Sequence, residues 1–396
     1  MLEKNSWLLP DGIEEVLPED ARHLESLRRN ILDMFACWGY ELVIPPFIDF
    51  LDSLLTGSGH DLALQTFKIT DQISGEMLGI RADMTPQVAR MDAHNLTHEW
   101  PARLCYAGTV LHAHNDALDK SRSPMQIGAE LYGHAGKESD LEVIQLMLAM
   151  LAITGVNDVH LDLGHVGIFR GLSQQAALNA EQEAALFDVL QRKACPELAE
   201  LLASFTISPV IKAMFLRLPE LNGGLSVIEQ ARQELQAAND DVKQAITELE
   251  TLAYSLKTSF PELKIGLDMA ELRGYHYHTG VVFAAFIAAV GREIARGGRY
   301  DNIGAVFGRA RPATGFSADL KLLSNVAKAT LRQSQRSIIY APWLDDIGLA
   351  NTIKTLRSQG LAVIQALPGQ TGSAEQLGCT SILEHSHQGW VIKALN

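Results

Sequence analysis

The stretch from Arg103 to Gly133 reads RLCYAGTVLHAHN, DALDKSRSP and MQIGAELYG, two runs of strand-forming residues around a polar loop that ends in proline. This pattern predicts a long β-hairpin. Residues two and four apart in a strand share a face, so Gln126, Gly128 and Glu130 should point away from the apolar residues between them. An amide and a carboxylate beside a glycine suit the floor of a polar ligand pocket. The alternative is a solvated strand face, the usual place for a lone charged residue.

Length and composition limit the class of protein. A chain of 396 residues exceeds one hydrophobic core, which predicts two domains or one domain with an insertion. Its 33 basic and 47 acidic residues give a formal net charge of −14 without a basic run, which disfavours nucleic acid. The four cysteines are far apart and form no C-x-x-C pair, so neither a zinc site nor a disulfide framework is expected. Without a signal sequence or an apolar run of roughly 18 residues, we expect a cytoplasmic protein with no membrane segment.

Helix and strand patterns precede the hairpin and give the chain an α+β character. Pro18 begins an amphipathic helix, and the strand pattern that follows this helix runs into two prolines, which predicts an edge strand. This segment, near Trp38 to Phe47, is also a candidate dimer interface. Asp83 and Thr85 lie where the next helix begins, so either residue would cap that helix or contact a ligand.

The composition changes between about residue 173 and residue 260, where Ala, Gln, Glu and Leu dominate and strand formers are scarce. We interpret this segment as a helical insertion in a core domain of residues 1–330. Strand patterns return after the insertion. Residues 335–396 alternate strand and helix patterns and carry four basic and four acidic residues, which predicts a small α/β domain without an electrostatic footprint for RNA.

Two further patterns bear on metal and phosphate binding. His112 with His114, and His276 with His278, form H-x-H pairs that would place both rings on one face of a strand. Nothing marks a third protein ligand, so no metal and no cofactor is expected. Three glycine-rich pieces, at residues 57–59, 297–299 and 304–308, lack the spacing of a phosphate-binding loop and indicate tight turns.

Taken in order, the pieces WGYELVIPPF, IRADMT, QIGAE, RGYHYHTG, GGRYDNIGAVFG and PATGFSADLKLL resemble the catalytic core of histidyl-tRNA synthetase over roughly the first 330 residues. The resemblance implies a class II aminoacyl-tRNA synthetase fold, an antiparallel sheet flanked by helices. It also implies a histidine pocket, which falls on Asp83, Thr85, Gln126, Glu130, Arg273, Tyr277 and His278. The carboxylates of that pocket suit the ammonium or ring N–H of histidine, and its arginine suits the carboxylate. His278 departs from the family, which usually has a second tyrosine there.

The synthetase family clamps the phosphates of ATP with two arginines, and this sequence has neither. His112 stands at the first position, followed by His114 in place of a glutamate, and Leu322 stands at the second. A mostly neutral imidazole cannot replace a permanently charged guanidinium, and leucine offers no donor. Loss of one such arginine can cost on the order of 10³-fold in phosphoryl chemistry, so loss of both should abolish adenylation. Lys120 and Arg122 remain in the hairpin loop but do not rebuild the pair.

A histidine pocket without an adenylation site is similar to the regulatory subunits of ATP phosphoribosyltransferase. The resemblance implies a protein without catalytic activity that activates a short-form catalytic subunit and takes part in feedback inhibition by L-histidine at the first step of histidine biosynthesis. It further implies a homodimer within a larger hetero-oligomer, and no tRNA. Three alternatives stay open: an active histidyl-tRNA synthetase, another amino-acid ligase on the same fold, and a histidine-binding module without an enzyme partner.

Overall fold

The computed structural model describes residues 8–56, 60–96, 98–114, 121–275, 277–330, 337–387 and 389–395. The chain divides into two units, residues 1–331 and 332–396. The helices of the first unit are α1 (Pro18–Cys37), α2 (Leu51–Leu55), α3 (His60–Gln65), α4 (Thr85–His94), α5 (Lys137–Ile153), α6 (Val166–Gln175), α7 (Ala180–Gln191), α8 (Cys195–Ser204), α9 (Pro209–Arg217), α10 (Val227–Glu234), α11 (Asp240–Ser259) and α12 (Leu320–Thr330). Its strands are β1 (Glu41–Leu42), β2 (Ile48–Phe50), β3 (Phe67–Thr70), β4 (Met77–Ile80), β5 (Ala102–Thr109), β6 (Met125–Tyr132), β7 (His160–His165), β8 (Asn222–Gly223), β9 (Lys264–Asp268), β10 (Val281–Phe286), β11 (Ala295–Arg299) and β12 (Ala313–Asp319).

The first unit is built on a nine-stranded sheet in the order β1-β5-β6-β12-β11-β10-β7-β9-β8. Most neighbouring strands are antiparallel, as predicted, but β1 pairs with β5 and β7 with β9 in parallel. The short strand β1 lies at the sheet edge, because the two prolines that follow it cannot donate to a ladder. A separate sheet has the order β2-β4-β3, in which β3 and β4 form an antiparallel hairpin.

The predicted central hairpin is confirmed by the antiparallel pairing of β5 with β6. Ile127, Ala129 and Leu131 face the main hydrophobic core, each at most 2% exposed. Helices α1 and α5 contribute to the same core. Helix α1 has proline in its first turn and ends before Gly39 at φ +81°, so both of its ends follow the predicted signals.

Six helices, α6 to α11, follow β7 and precede β9. Helix α7 begins with a capping box in which Asn179 and Gln182 bond each other's backbone amides. Helices α6 and α11 pack closely at Gly171, where a methyl group would lie 2.7 Å from the Val242 side chain. These helices form a segment that packs on the sheet through α6 and α11.

The second unit is a four-stranded sheet with one helix, and its described part matches the predicted strand and helix patterns. The strands are β13 (Ile338–Ala341), β14 (Ala362–Gln365), β15 (Ser381–Ser386) and β16 (Gly389–Ala394), and the helix is α13 (Ile347–Ser358). The sheet order is β14-β13-β15-β16. Its own small core includes Ile339, Leu349, Ile353 and Leu383. Within the described ranges of both units, no helix is long and apolar enough to cross a membrane.

Candidate functional site

The polar face of β6 is buried rather than solvated. Glu130 is only 1% exposed, so the alternative of a solvated strand face is wrong for this residue. The Tyr106 hydroxyl on β5 donates a hydrogen bond to Glu130 Oε1 at 2.9 Å, and the Tyr300 hydroxyl donates to Oε2. Both tyrosines are almost fully buried as well. The carboxyl group therefore sits in the sheet interior with a phenol on each oxygen.

Two glycines leave the space that Glu130 and its partners occupy. Gly315 on β12 lies opposite Glu130 in the strand register, and a methyl group there would fall 1.5 Å from Glu130 Oε2. Gly128 lies opposite Tyr106, and a methyl group at that position would fall 2.6 Å from the Tyr106 hydroxyl. Neither glycine has room for any side chain, because the Glu130 carboxyl and the Tyr106 ring fill the space that a side chain would need.

Burial sets the protonation state of Glu130. Loss of solvent raises the pKa of this carboxyl to about 8, although the hydroxyls of Tyr300 and Tyr106 favour the ionised form. The negative charge of Asp83 raises the pKa further. Glu130 is therefore mostly protonated at pH 7.

Asp83 and Gln126 form the second part of the site, at the beginning of α4. Asp83 Oδ1 accepts hydrogen bonds from the Thr85 amide at 2.9 Å and from Gln126 Nε2 at 2.8 Å. Gln126 Oε1 in turn accepts from the Met84 amide at 2.9 Å. The Thr85 hydroxyl lies 3.2 Å from the Tyr106 hydroxyl. Asp83 thus binds the first amide of α4, and one network connects it with Thr85, Gln126 and, through Tyr106, Glu130.

Tyr277 and His278 extend the site on its aromatic side. The Tyr277 ring lies on Tyr300 with centroids 5.0 Å apart and meets the His278 ring edge-on at 5.3 Å. Its hydroxyl is shielded from solvent and has no hydrogen-bond partner among the described residues. An unpaired buried hydroxyl is costly, so this atom marks a place for a polar ligand group or a water molecule. Burial lowers the pKa of His278 to about 4, which keeps its imidazole neutral.

Arg273 is directed to a different partner. Its guanidinium donates to Glu271 Oε2 from Nε at 2.9 Å and from Nη2 at 2.5 Å, and it lies 5.4 Å from the centre of the Phe286 ring. No contact within the described part of the chain joins it to the network of Asp83 and Glu130. The structure therefore brings six of the seven predicted pocket residues into one group and holds Arg273 in an ion pair beside it.

Tyr106 and Tyr300 belong to this site and were not predicted. Tyr300 lies in the GGRYD piece, which was recognised only as part of the synthetase resemblance. Tyr106 lies two residues before Gly108 on the first strand of the hairpin, and only the strand register shows that it reaches Glu130. No local sequence signal marks either tyrosine as a partner of Glu130, because both reach it only through the pairing of strands.

At the two positions where the resemblance predicts the loss of an arginine, the side chains contact the protein itself. His112 Nε2 lies 3.0 Å from the Ala82 carbonyl, and Leu322 on α12 packs against the main core. Arg122 donates to the His112 carbonyl at 3.0 Å, and Lys321 donates to the Ser123 carbonyl at 2.6 Å. The two neighbouring cations are thus bound to protein carbonyls. Lys120 lies outside the described residues.

Two expectations about motifs need correction. His112 and His114 follow the end of β5 rather than lying on a strand, so the H-x-H spacing does not align their rings as assumed. His276 lies outside the described residues. Gly297 and Gly298 lie within β11 and not in a turn. A methyl group at Gly297 would fall 2.1 Å from the Gly315 carbonyl of the next strand, so glycine at this position permits the close approach of the two strands. The piece at 304–308 does form a turn of 3-10 helix that ends at Gly308 with φ +90°, and 57–59 is not described.

Comparison with known proteins shows to which class of protein this chain belongs. A family model described as histidyl-tRNA synthetase matches residues 12–323. A solved structure from Bacillus halodurans, described as an ATP phosphoribosyltransferase regulatory subunit/histidyl-tRNA synthetase, matches with a TM-score of 0.84 and 28% identity over 95% of this chain and 97% of that chain. The histidyl-tRNA synthetase of Nostoc sp. PCC 7120 shares the fold, with a TM-score of 0.78 and 18% identity over 99% and 97% of the two chains. The fold and the site together define a histidyl-tRNA synthetase-like protein of class II.

The remaining matches resolve the family within that class. A second family model, described as the C-terminal domain of the ATP phosphoribosyltransferase subunit HisZ, matches residues 336–393. The ATP phosphoribosyltransferase regulatory subunit of Methylococcus capsulatus is 57% identical over 98% of this chain and 95% of its own length. That of Thioalkalivibrio sulfidiphilus is 52% identical over the full length of both. The chain belongs to the family of ATP phosphoribosyltransferase regulatory subunits, which gives it a regulatory role in histidine biosynthesis.

Proposed function

We propose that this chain is a non-catalytic partner of a short-form ATP phosphoribosyltransferase catalytic subunit, that it acts in the cytoplasm, and that it binds L-histidine as the effector of feedback inhibition. The residues proposed to bind histidine are Asp83, Thr85, Gln126, Glu130, Arg273, Tyr277 and His278. The observation that carries this proposal is the network of hydrogen bonds that holds Asp83, Gln126 and, through Tyr106, the buried Glu130 in place.

The groups of the pocket match those of free histidine. Asp83 is half-buried and suits the α-ammonium, while the fully buried Glu130 suits a ring nitrogen. The unpaired Tyr277 hydroxyl is available to the second ring nitrogen. Arg273 would bind the α-carboxylate after its guanidinium turns away from Glu271. A ligand with an imidazole ring therefore satisfies groups that an aliphatic amino acid would leave unpaired.

The same site is not expected to activate histidine with ATP. Adenylation needs fixed cations on the phosphates, and His112 and Leu322 occupy the two positions where synthetases have arginine. The nearby Arg122 and Lys321 donate to protein carbonyls. We therefore propose that the protein retains the amino-acid pocket of a synthetase and has lost its chemistry.

The direct test is an activation assay. The protein is mixed with a short-form catalytic subunit, and turnover is measured with and without L-histidine. We expect turnover to rise on mixing and to fall again with histidine. Asp83→Asn should retain the activation and need a higher histidine concentration for inhibition, whereas Asp71→Asn, in the exposed turn between β3 and β4, should behave like wild type. If the turnover of the catalytic subunit changes neither with the protein nor with histidine, the proposal is refuted.

Two further measurements separate the alternatives. A working synthetase or a related ligase predicts histidine-dependent exchange of pyrophosphate into ATP, and we expect none. A histidine-binding module without an enzyme partner predicts that no complex forms with the catalytic subunit, and we expect a complex that survives gel filtration. Detection of histidyl-adenylate would overturn the assignment.

We also propose that two copies of this chain form a homodimer within the hetero-oligomer through the segment near Trp38 to Phe47, which contains the edge strand β1. Apolar side chains are unusually exposed there, with Ile44 at 82%, Leu42 at 50% and Phe47 at 42%. We assign no role to tRNA, since residues 335–396 carry equal numbers of basic and acidic residues. In this proposal residues 1–330, with the insertion at about 173–260, form the effector-binding domain.

A further inference from the structure

The loop that carries Tyr277 and His278 is anchored in the helices α6 and α7. Tyr275 provides the first anchor. It is 5% exposed, and its ring lies edge-on to Phe169 of α6 at 5.2 Å and 5.5 Å from the ring of Phe187 of α7. Its hydroxyl donates a hydrogen bond to Glu183 Oε1 of α7 at 2.5 Å. The loop is therefore fixed to the helical segment at the residue two positions before Tyr277.

Arg170 of α6 provides the second anchor. Its Nη2 donates to the His278 carbonyl at 3.1 Å and to the Tyr275 carbonyl at 3.5 Å. The guanidinium also lies 5.2 Å from the centre of the Tyr275 ring, which is cation–π geometry. One side chain of the helical segment thus contacts the chain on both sides of Tyr277.

These anchors reach the proposed histidine pocket through direct contacts. Tyr277 and His278 both donate their backbone amides to the Gly274 carbonyl at 2.8 Å, which closes the loop into a turn. The Tyr277 ring then lies on Tyr300, and the Tyr300 hydroxyl bonds Glu130. A shift of α6 or α7 would displace Tyr277 relative to Glu130.

We infer that Arg170 and Tyr275 are positioning residues that hold Tyr277 and His278 over the Glu130 side of the pocket, so that the helices α6 and α7 influence the affinity for the effector. This inference rests on the proposed histidine function. When the binding-competent state is only partly populated, the apparent dissociation constant rises in proportion to the lost fraction. Loosening the loop should therefore weaken binding even though neither residue is assigned a contact with histidine.

The test uses the full chain, with histidine affinity measured by titration calorimetry. Tyr275→Phe retains the ring and removes the hydrogen bond to Glu183, and we expect a dissociation constant about fivefold higher, the equivalent of one lost hydrogen bond. Arg170→Met retains an apolar stem and removes a charged donor from two carbonyls, and we expect an increase of at least about tenfold. Glu183→Gln leaves an acceptor for Tyr275 and should bind histidine like wild type.

The matched control is Arg232→Met, which removes another arginine of the same helical segment. Arg232 pairs with Glu250 between α10 and α11, away from the loop. Its loss should leave the histidine affinity unchanged. Affinity losses in Arg170→Met and Tyr275→Phe that are absent from this control would support a positioning role rather than a general loss of stability. Wild-type affinity in both loop variants would overturn the inference.

A second readout does not depend on histidine. The amides of Tyr277 and His278 are protected in the free protein by their bonds to Gly274, so their hydrogen exchange reports on the turn. We expect faster exchange in Arg170→Met and Tyr275→Phe and no change in Arg232→Met. If wild type fails to bind histidine, the proposed function is wrong, and the exchange measurement still decides whether the anchors hold the loop. Unchanged exchange in both variants would refute the anchors themselves.

Discussion

Gly315 lies directly opposite Glu130 in the paired strands β12 and β6, and the space that its missing side chain leaves is filled by the Glu130 carboxyl. A methyl group at Gly315 would fall 1.5 Å from Glu130 Oε2 and 2.8 Å from the Ala129 carbonyl. The Ala129 carbonyl belongs to β6, which lies inside the sheet, so β6 and β12 cannot separate easily to make room for the methyl group. The carboxyl group therefore has to move.

The first prediction is that Gly315→Ala abolishes histidine binding, because it displaces Glu130 from its two phenol partners. We expect it also to lower the free energy of unfolding by about 1–3 kcal/mol, the usual cost of overpacking a core. Calorimetric titration and urea unfolding measure the two effects. Gly291→Ala is the control, since a methyl group at that position contacts nothing within 4 Å. Wild-type affinity in Gly315→Ala would contradict the assigned position of the pocket.

The second prediction concerns pH and follows from the raised pKa of Glu130. The folded protein holds the Glu130 proton up to about pH 8, whereas the unfolded chain releases it near pH 4.5. Between these values the folded state binds more protons, so the contribution of Glu130 to stability falls as the pH rises and is lowest above pH 8. The slope can reach about 1.4 kcal/mol per pH unit.

Comparison with Glu130→Gln isolates this contribution, because glutamine does not titrate and all other groups are shared. We expect the stability of wild type relative to Glu130→Gln to fall by an amount on the order of 2 kcal/mol between pH 5.5 and 7.5. Urea unfolding at several pH values gives the difference. A difference that stays constant over this range would show that Glu130 is already ionised in the folded protein.

The separation of polar and apolar residues on β6 could be predicted because side-chain alternation in a strand is local. The same holds for the first helix and for the position of Asp83 before α4, where proline and acidic residues signal a helix start. The partners of Glu130 could not be found in this way. Tyr106 and Tyr300 lie 24 and 170 residues away in the chain, and only the pairing of distant strands brings them to the carboxyl group.

No sequence pattern indicates which of several possible hydrogen-bond partners a charged side chain will bind in the folded protein. Arg273 was predicted to bind a carboxylate, and in the structure it binds that of Glu271, two residues earlier. The glycine-rich piece at Gly297 predicts a tight turn, yet Gly297 lies in a strand that closely approaches the backbone of β12. Both differences arise from close tertiary packing, which has no local pattern.

The third prediction concerns a buried ion pair that fixes the first turn of α5. Arg299 Nη2 lies 3.0 Å from Asp140 Oδ2, and the two side chains are 9% and 6% exposed. Arg299 also donates to the Gly136 carbonyl and the Ser139 hydroxyl. Arg299→Met leaves Asp140 buried without its cation, so we expect the free energy of unfolding to fall by about 3–5 kcal/mol. Urea unfolding measures this loss.

Arg296→Met provides the comparison for that pair. Arg296 also belongs to β11, but its side chain is 69% exposed and pairs with Glu293 at the surface. We expect a change of no more than about 1 kcal/mol, since water screens an exposed pair. An equal decrease in the free energy of unfolding in the two variants would show that the buried ion pair of Arg299 stabilises the fold no more than the exposed pair of Arg296.

The fourth prediction tests the proposed homodimer at Ile44. This side chain is 82% exposed beside the edge strand β1, and Phe47 and Phe50, nearby in the chain, are 42% and 52% exposed. A charged side chain at the centre of an apolar interface would be buried without a partner, so Ile44→Asp should convert a dimer into a monomer. Light scattering coupled to gel filtration measures the mass. Ile73→Asp is the matched control, because Ile73 is 96% exposed in the turn between β3 and β4 and should leave the mass unchanged. A wild-type chain that is monomeric at micromolar concentration would refute the homodimer. An Ile44→Asp variant that remains dimeric would place the interface elsewhere.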